Sequence, residues 1–310
     1  MEKSAKVFIA GHRGLVGSAL VREFETQGYR NLILRDRTQV DLRNQAAVET
    51  FFQENKPEYV VHAAGLVGGI LANSTRQADF LYENLMVAAN VIHAAAANGT
   101  KKLLFLGSSC IYPKLARQPI REDSLLTSAL EPTNEGYAIA KIAGLKLCSN
   151  YRAQHGKNFI SAMPTNLYGP FDNFDLQSSH VLPALLRKFH DAKFKGADEV
   201  VLWGTGKPLR EFLYVDDLAR ALVCLMHTYE SEQTINVGSG EEVAISDLAH
   251  IVSEVVGFRG RVVFDSTKPD GTPRKVLDSS RIRALGWEPK VPLSQGVAQT
   301  YQWALASSAF

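Results

Sequence analysis

Short unbroken apolar runs alternate along the first half of the chain with longer stretches whose apolar positions recur every three or four residues. Residues 6–10 (Lys-Val-Phe-Ile-Ala) predict a buried strand, and Ala19, Leu20, Val21 and Phe24 mark the helix that follows. The pattern repeats, with strands predicted at 32–34, 59–65, 103–106 and 159–163 and helices over 45–54, 77–98 and 137–154. Strands that are apolar throughout, rather than at alternate positions, are covered on both faces, and their alternation with helices makes them parallel. Beyond residue 170 the pattern changes. Residues 171–179 are polar and loop-like, 181–194 are helical, and from Trp203 onwards the units shorten and carry more Gly and Pro. A smaller mixed α/β lobe from 171–310 is expected, with segments near 207–238 returning to the first lobe, 1–170.

A chain of 310 residues can bury the core of two such lobes. Its 45% apolar and 21% charged residues exclude wholesale disorder. A net charge of +2 with no basic stripe gives no reason to expect nucleic acid or a membrane surface as partner. No apolar run reaches the roughly eighteen residues of a membrane span, and Met1 to Lys6 lead straight into a strand, unlike a signal peptide. Cys110, Cys148 and Cys224 are an odd set without metal-ligand spacing, which fits reduced thiols in a cytoplasm.

Between the first strand and the first helix stands Gly11-His12-Arg13-Gly14-Leu15-Val16-Gly17, a G-x-x-G-x-x-G spacing. Glycines there allow a tight turn, close approach of backbone amides to a pyrophosphate, and close packing of the helix on the sheet. In this context they predict a Rossmann-type doubly wound parallel sheet that binds a nicotinamide dinucleotide. Ligands of such sheets lie outside the carboxyl ends of the strands, which places 11–17, 63–65, 108–110 and 164–167 along one crevice. After the second strand, an acid favours the ribose of NAD and a base the 2′-phosphate of NADP. Arg13, Arg35 and Arg37 against Asp36 favour NADP, and Asp36 is the residue that speaks for NAD.

The fourth apolar run ends in Ser108-Ser109-Cys110, and Tyr137 and Lys141 are four residues apart, on one face of a helix. A hydroxyl, a phenol and an ammonium together polarise a carbonyl and protonate its oxygen. A strand end beside an ordinary amphipathic helix is the plainer reading, and the glycine turn ahead of it tips the balance.

These features, with Arg-Glu-Phe-Leu-Tyr-Val-Asp-Asp at 210–217, resemble the extended short-chain dehydrogenase/reductase family of nucleotide-sugar enzymes. Stretches 8–14, 106–114, 131–135, 164–170 and 268–275 are similar to the members that epimerise and reduce GDP-4-keto-6-deoxymannose. The resemblance implies an NADPH-dependent 3,5-epimerase/4-reductase, active as a homodimer. In such members Cys110 would be the base and His180 the acid at C3 and C5, with Ser108 and Tyr137 holding the enolate oxygen. Lys141 would lower the pKa of the phenol and bind the nicotinamide ribose. The cofactor would lie along Gly11 to Gly17, against Arg37, Asp41 and Leu42, and then over Leu106, Gly107, Ser108 and Ser109. Pro164, Thr165, Asn166, Leu167 and His180 would complete its site. Lys188, Trp203, Arg210 and Asp270 would hold the GDP-sugar.

Each has a plainer reading. Cys110 suits a small buried hydrophobe, His180 a surface residue, Lys188 a solvated helix residue and Asp270 a turn-former. Arg210 could instead bridge to Glu211 or Asp216. Among whole-protein rivals, an NAD-dependent 4-epimerase would leave Cys110 and His180 idle. A non-catalytic dinucleotide binder predicts a broken Ser, Tyr or Lys, and all three are present.

Overall fold

A computed structural model describes residues 1–268 and 270–310. Its first half alternates strand and helix: β1 Val7–Ala10, α1 Leu15–Thr26, β2 Leu32–Ile33, α2 Gln45–Asn55, β3 Tyr59–His62, α3 Ile70–Thr75, α4 Gln77–Ala97, β4 Lys102–Leu106, α5 Glu135–His155 and β5 Asn158–Pro164. The rest runs β6 Asn166–Tyr168, α6 Val181–Phe194, β7 Glu199–Trp203, β8 Leu209–Tyr214, α7 Val215–Thr228, β9 Ile235–Val237, β10 Glu242–Ala244, α8 Ile245–Val256, β11 Arg261–Asp265, β12 Arg274–Lys275, α9 Ser280–Ala284 and α10 Leu293–Ala306.

The main sheet has the order β2-β1-β3-β4-β5-β9 and is parallel throughout. Successive strand residues face opposite sides, so each strand serves two cores. Val7, Ile9, Val61, Leu104 and Ile160 pack with α1 and α7, while Phe8, Val60, Leu103, Phe105 and Phe159 pack with α2, α4 and α5. That double burial explains why the strands read as unbroken apolar runs. Strand order reverses around β1, so the helices that follow β1 and β3 lie on opposite faces of the sheet and a crevice is left outside the carboxyl ends of those strands.

The third strand stops at His62, three residues short of the predicted end, because Asn84 on α4 captures the chain. Its amide accepts from Leu66 N at 2.9 Å and donates to Leu66 O at 3.0 Å, drawing the backbone out of the sheet. A second departure is at 207–214. There β8 does not rejoin the main sheet but forms the centre of a second one, with β10, β12 and β6 as partners. Within 207–238 it is α7 and β9 that return. The third core, which includes Leu186, Phe189, Phe212, Leu248, Val252 and Tyr301, lies under this second lobe. Among the described residues no helix is long and apolar enough to cross a membrane.

Helix α5 lies close against β4 at Gly144, where an added Cβ would sit 2.5 Å from the Phe105 ring. Phe105 is fully buried and has no room to give. Gly144→Ala is therefore expected to lower unfolding free energy by about 1–3 kcal/mol, read from urea denaturation. An unchanged midpoint would mean that this contact relaxes freely.

Candidate active site

The crevice is built from strand ends. Gly11 leaves β1 with φ +85, and a Cβ there would lie 2.8 Å from the backbone of Ala64. At Gly17 a Cβ would lie 2.0 Å from the carbonyl oxygen of Gly11. These two positions let the turn fold back against the start of α1. Gly14 precedes α1 in extended conformation, and no side chain caps the helix. Gly14 N donates to Gly11 O at 3.0 Å, and the N–H groups of Leu15, Val16 and Gly17 are left to a ligand, a ready anion site. Gly65 faces the same crevice, where a Cβ would be 2.7 Å from Asn84 Oδ1 and 3.5 Å from Lys141 Nζ. An uncapped helix end, a side-chain-free wall and the exposed Arg13 fit a dinucleotide. Lys141 and the glycine turn would hold its ribose and pyrophosphate, and reduced, it would supply a hydride.

Strand β4 leads to the candidate reacting groups. Ser108 closes the strand, and its Oγ accepts from Cys110 N at 3.2 Å as the chain enters a single 3-10 turn, Ser109–Ile111. That turn leaves Cys110 half-buried rather than in the core. Lys141 is buried, and its Nζ donates to Leu106 O at 3.0 Å and lies 5.8 Å from the centre of the Tyr137 ring. Burial pushes the Lys141 ammonium down to about 8. Burial also raises the Tyr137 phenol, with Cys110 adding to the rise and a hydrogen bond with Ser108 opposing it. The lowering expected from Lys141 is not among these effects, and the phenol stands in its proton-donating form. His62, at the end of β3, is pushed down to about 3, first by burial and then by the Lys141 charge. It is neutral at ordinary pH, with a hydrogen on only one of its ring nitrogens.

The second lobe brings the remaining groups. His180 precedes α6 with its ring accessible, and the protein mass around the cleft, followed by Lys275, lowers its pKa. Lys275 lies on β12 and donates to Cys110 Sγ at 3.7 Å. One ammonium therefore acts on both Cys110 and His180. Sequence reasoning had no role for Lys275, and only its place in the 268–275 stretch pointed to it. Asn84 was also missed, and its signal was a polar residue on a face of α4 otherwise filled by Phe80, Ala88 and Val91.

Lys275 is paired in register with Arg210 on β8, so the two side chains leave the same face of the second sheet. Arg210 makes no ion pair among the described residues. Asp216 is taken by Arg22, and Glu211 turns inward to accept from Gly240 N and Leu277 N at 2.7 and 2.9 Å. Both bridging rivals for Arg210 fall away. Its half-buried guanidinium is lowered by burial, against the pull of Asp270. Lys188 on α6 is half-buried and lowered in the same way. Trp203 ends β7 with its side chain 68% exposed, open to stacking. Asp270 is committed differently, since its carboxylate accepts from Thr205 N and Oγ1 at 2.6 and 2.8 Å and clasps its loop to the turn after β7. Thr165 and Asn166 send their side chains to the carbonyl of Glu211. Asp41 holds Arg43, and the Leu42 carbonyl accepts from Asn90 at 3.0 Å.

Residues 7–238 match the NAD dependent epimerase/dehydratase family. GDP-L-fucose synthase 1 of Arabidopsis thaliana is 62% identical over 304 residues, covering 98% of this chain and 94% of that protein. GDP-L-fucose synthase of Escherichia coli (strain K12) is 54% identical over 309 residues, covering 97% and 96%. A solved GDP-L-fucose synthetase from Naegleria fowleri bound to NADP has a TM-score of 0.91 at 30% identity, covering 99% of this chain and 96% of that one. The chain belongs to the NAD dependent epimerase/dehydratase family of nucleotide-sugar enzymes. Within that class it falls among the GDP-L-fucose synthases.

A cation in contact with a cysteine sulfur makes it more reactive towards electrophiles. Lys275→Met is expected to slow alkylation of Cys110 by iodoacetamide at neutral pH by about tenfold or more, measured at that cysteine by mass spectrometry. Equal rates in the two proteins would remove Lys275 from the site.

Proposed function

We propose that the protein is an NADPH-dependent 3,5-epimerase/4-reductase that converts GDP-4-keto-6-deoxy-D-mannose to GDP-L-fucose. The observation that carries this reading is the gathering of Cys110, Lys275 and His180 beside the Ser108, Tyr137 and Lys141 group. A plain carbonyl reductase needs only the second set.

A ketone at C4 acidifies the protons on C3 and C5. The Cys110 thiolate takes such a proton onto Sγ, and the C–H electron pair moves into an enolate whose oxygen Ser108 and Tyr137 hold by hydrogen bonds. Protonated His180 returns a proton to the opposite face of the same carbon, which inverts it. NADPH supplies the hydride that reduces C4. The Tyr137 phenol gives its proton to O4, and Lys141 offsets the charge left on the phenolate. Arg210 and Lys188 meet the diphosphate, and Trp203 stacks on a ring of the nucleotide-sugar. Asp270 keeps its loop closed on the turn beneath Trp203.

The apolar side chains left exposed on the paired helices α4 and α5, Tyr82, Leu85 and Ile139, support a homodimer through that face. Three free cysteines suit a reducing cytoplasm. The 4-epimerase reading is not favoured, since it gives Cys110, His180 and Lys275 nothing to do.

Incubation with GDP-4-keto-6-deoxymannose and NADPH is expected to consume the reduced nicotinamide absorbance and to place solvent deuterium at C3 and C5. No loss of absorbance would refute the reductase. Cys110→Ser is expected to slow deuterium wash-in by about a hundredfold or more, with much less effect on reduction of a substrate already epimerised. Equal losses would mean that Cys110 is not the specific base. Because Lys141 titrates at about 8 in the free protein, kcat/KM for NADPH is expected to fall as pH rises through that value and the ammonium is lost. A profile flat across that range would show that the charge on Lys141 is not used.

A further inference from the structure

The exit of β2 is where this chain departs from a simple arginine-lined phosphate site. Arg13 reaches out of the glycine turn with its side chain 76% exposed, and its Nη1 lies 2.9 Å from Asp36 Oδ2. Arg35 bends back onto the carbonyl of Leu34. Arg37 lies loosely between Asp41 and Glu83, at 3.9 and 4.0 Å. Of the three arginines near this turn, Arg13 alone is held close by a single acid.

That acid is not free to move. Asp36 Oδ1 accepts from Thr38 N, Thr38 Oγ1 and Gln39 N at 3.0, 2.7 and 3.2 Å. Its own backbone N–H donates to Gln39 Oε1 at 3.0 Å. One oxygen is thus filled by the turn it closes, and the other faces Arg13. An acid that selects NAD must offer lone pairs to ribose hydroxyls, and Asp36 has committed both of its oxygens. It lacks the freedom for that role, despite standing at the position where such an acid occurs.

The same geometry makes Asp36 a rival of the 2′-phosphate. A phosphate monoester carries more charge than a carboxylate and offers three acceptor oxygens, so it can draw the mobile guanidinium from Asp36. Doing so gives up the Arg13–Asp36 pair and leaves a fixed carboxylate facing the phosphate. We propose that Asp36 sets cofactor specificity through Arg13: it keeps the arginine at the mouth of the glycine turn and competes with the 2′-phosphate for it. The preference for NADPH over NADH is then narrower than Arg13 and Arg37 alone would give. This inference rests on the NADPH reading above.

The test uses adenine half-cofactors with the full chain, so that binding is read without turnover. Calorimetric titration with 2′,5′-ADP and with 5′-ADP isolates the 2′-phosphate. Asp36→Asn keeps an oxygen for Thr38 and Gln39 while removing the charge, and Asp36→Ser supplies a second turn-closing variant should the first fold poorly. Either is expected to tighten 2′,5′-ADP by about two- to fivefold and to leave 5′-ADP unchanged. In an Arg13→Ala background the gain is expected to vanish. Weaker 5′-ADP binding in Asp36→Asn would make Asp36 a ribose ligand and overturn the proposal. No change with either nucleotide would overturn it too, as would a gain that persists in full without Arg13. Failure of the parent protein to prefer 2′,5′-ADP over 5′-ADP is a separate outcome, and it would count against NADPH itself.

Discussion

The site depends on a carboxylate that never meets water. Glu211, in the middle of β8, is fully buried. Burial raises its pKa, while the backbone N–H groups of Leu277 and Gly240 and the Thr165 hydroxyl act the other way. A buried acid without such partners would be costly, and removal of one partner would leave the other group unsatisfied. Through Leu277 it fixes the strand that carries Lys275, and through its own carbonyl it takes the side chains of Thr165 and Asn166. Its neighbour Arg210 leaves the other face of the strand. One residue therefore sets the spacing between Thr165 and Asn166, Arg210 and the cation beside Cys110.

That cation serves two groups with opposed needs. Lys275 donates to the Cys110 sulfur and disfavours positive charge on His180. In the proposed inversion one cation would thus contact the base and make the acid give up its proton more readily. The price is a smaller protonated fraction of His180 before the substrate arrives.

Much of the first lobe was legible because its strands are locally apolar and its helices keep their period. The boundary at His62 was not, since it is set by Asn84, more than twenty residues away in the chain. The second lobe reads poorly because its sheet joins β6, β8, β10 and β12 from distant segments, each two to six residues long. The same limit hid Lys275. It meets Cys110 across 165 positions of sequence, and no spacing rule reaches that far. Asp36 was visible as an anomaly, but its commitment to Thr38, Gln39 and Arg13 is a matter of geometry.

The return of α7 and β9 bears on how the protein is made. Leu218, Leu222 and Ile235 lie in the same core as Val7, Ile9 and Leu20. A nascent chain that has just exposed the dinucleotide turn still lacks α7, which shares with α1 the cover of one face of its sheet. With synthesis at about 5–20 residues per second, the part of that face under α7 stays uncovered for roughly ten seconds or more before residue 237 emerges. The glycine turn that opens the chain cannot be completed early, and the first lobe must wait for part of the second half before it can close.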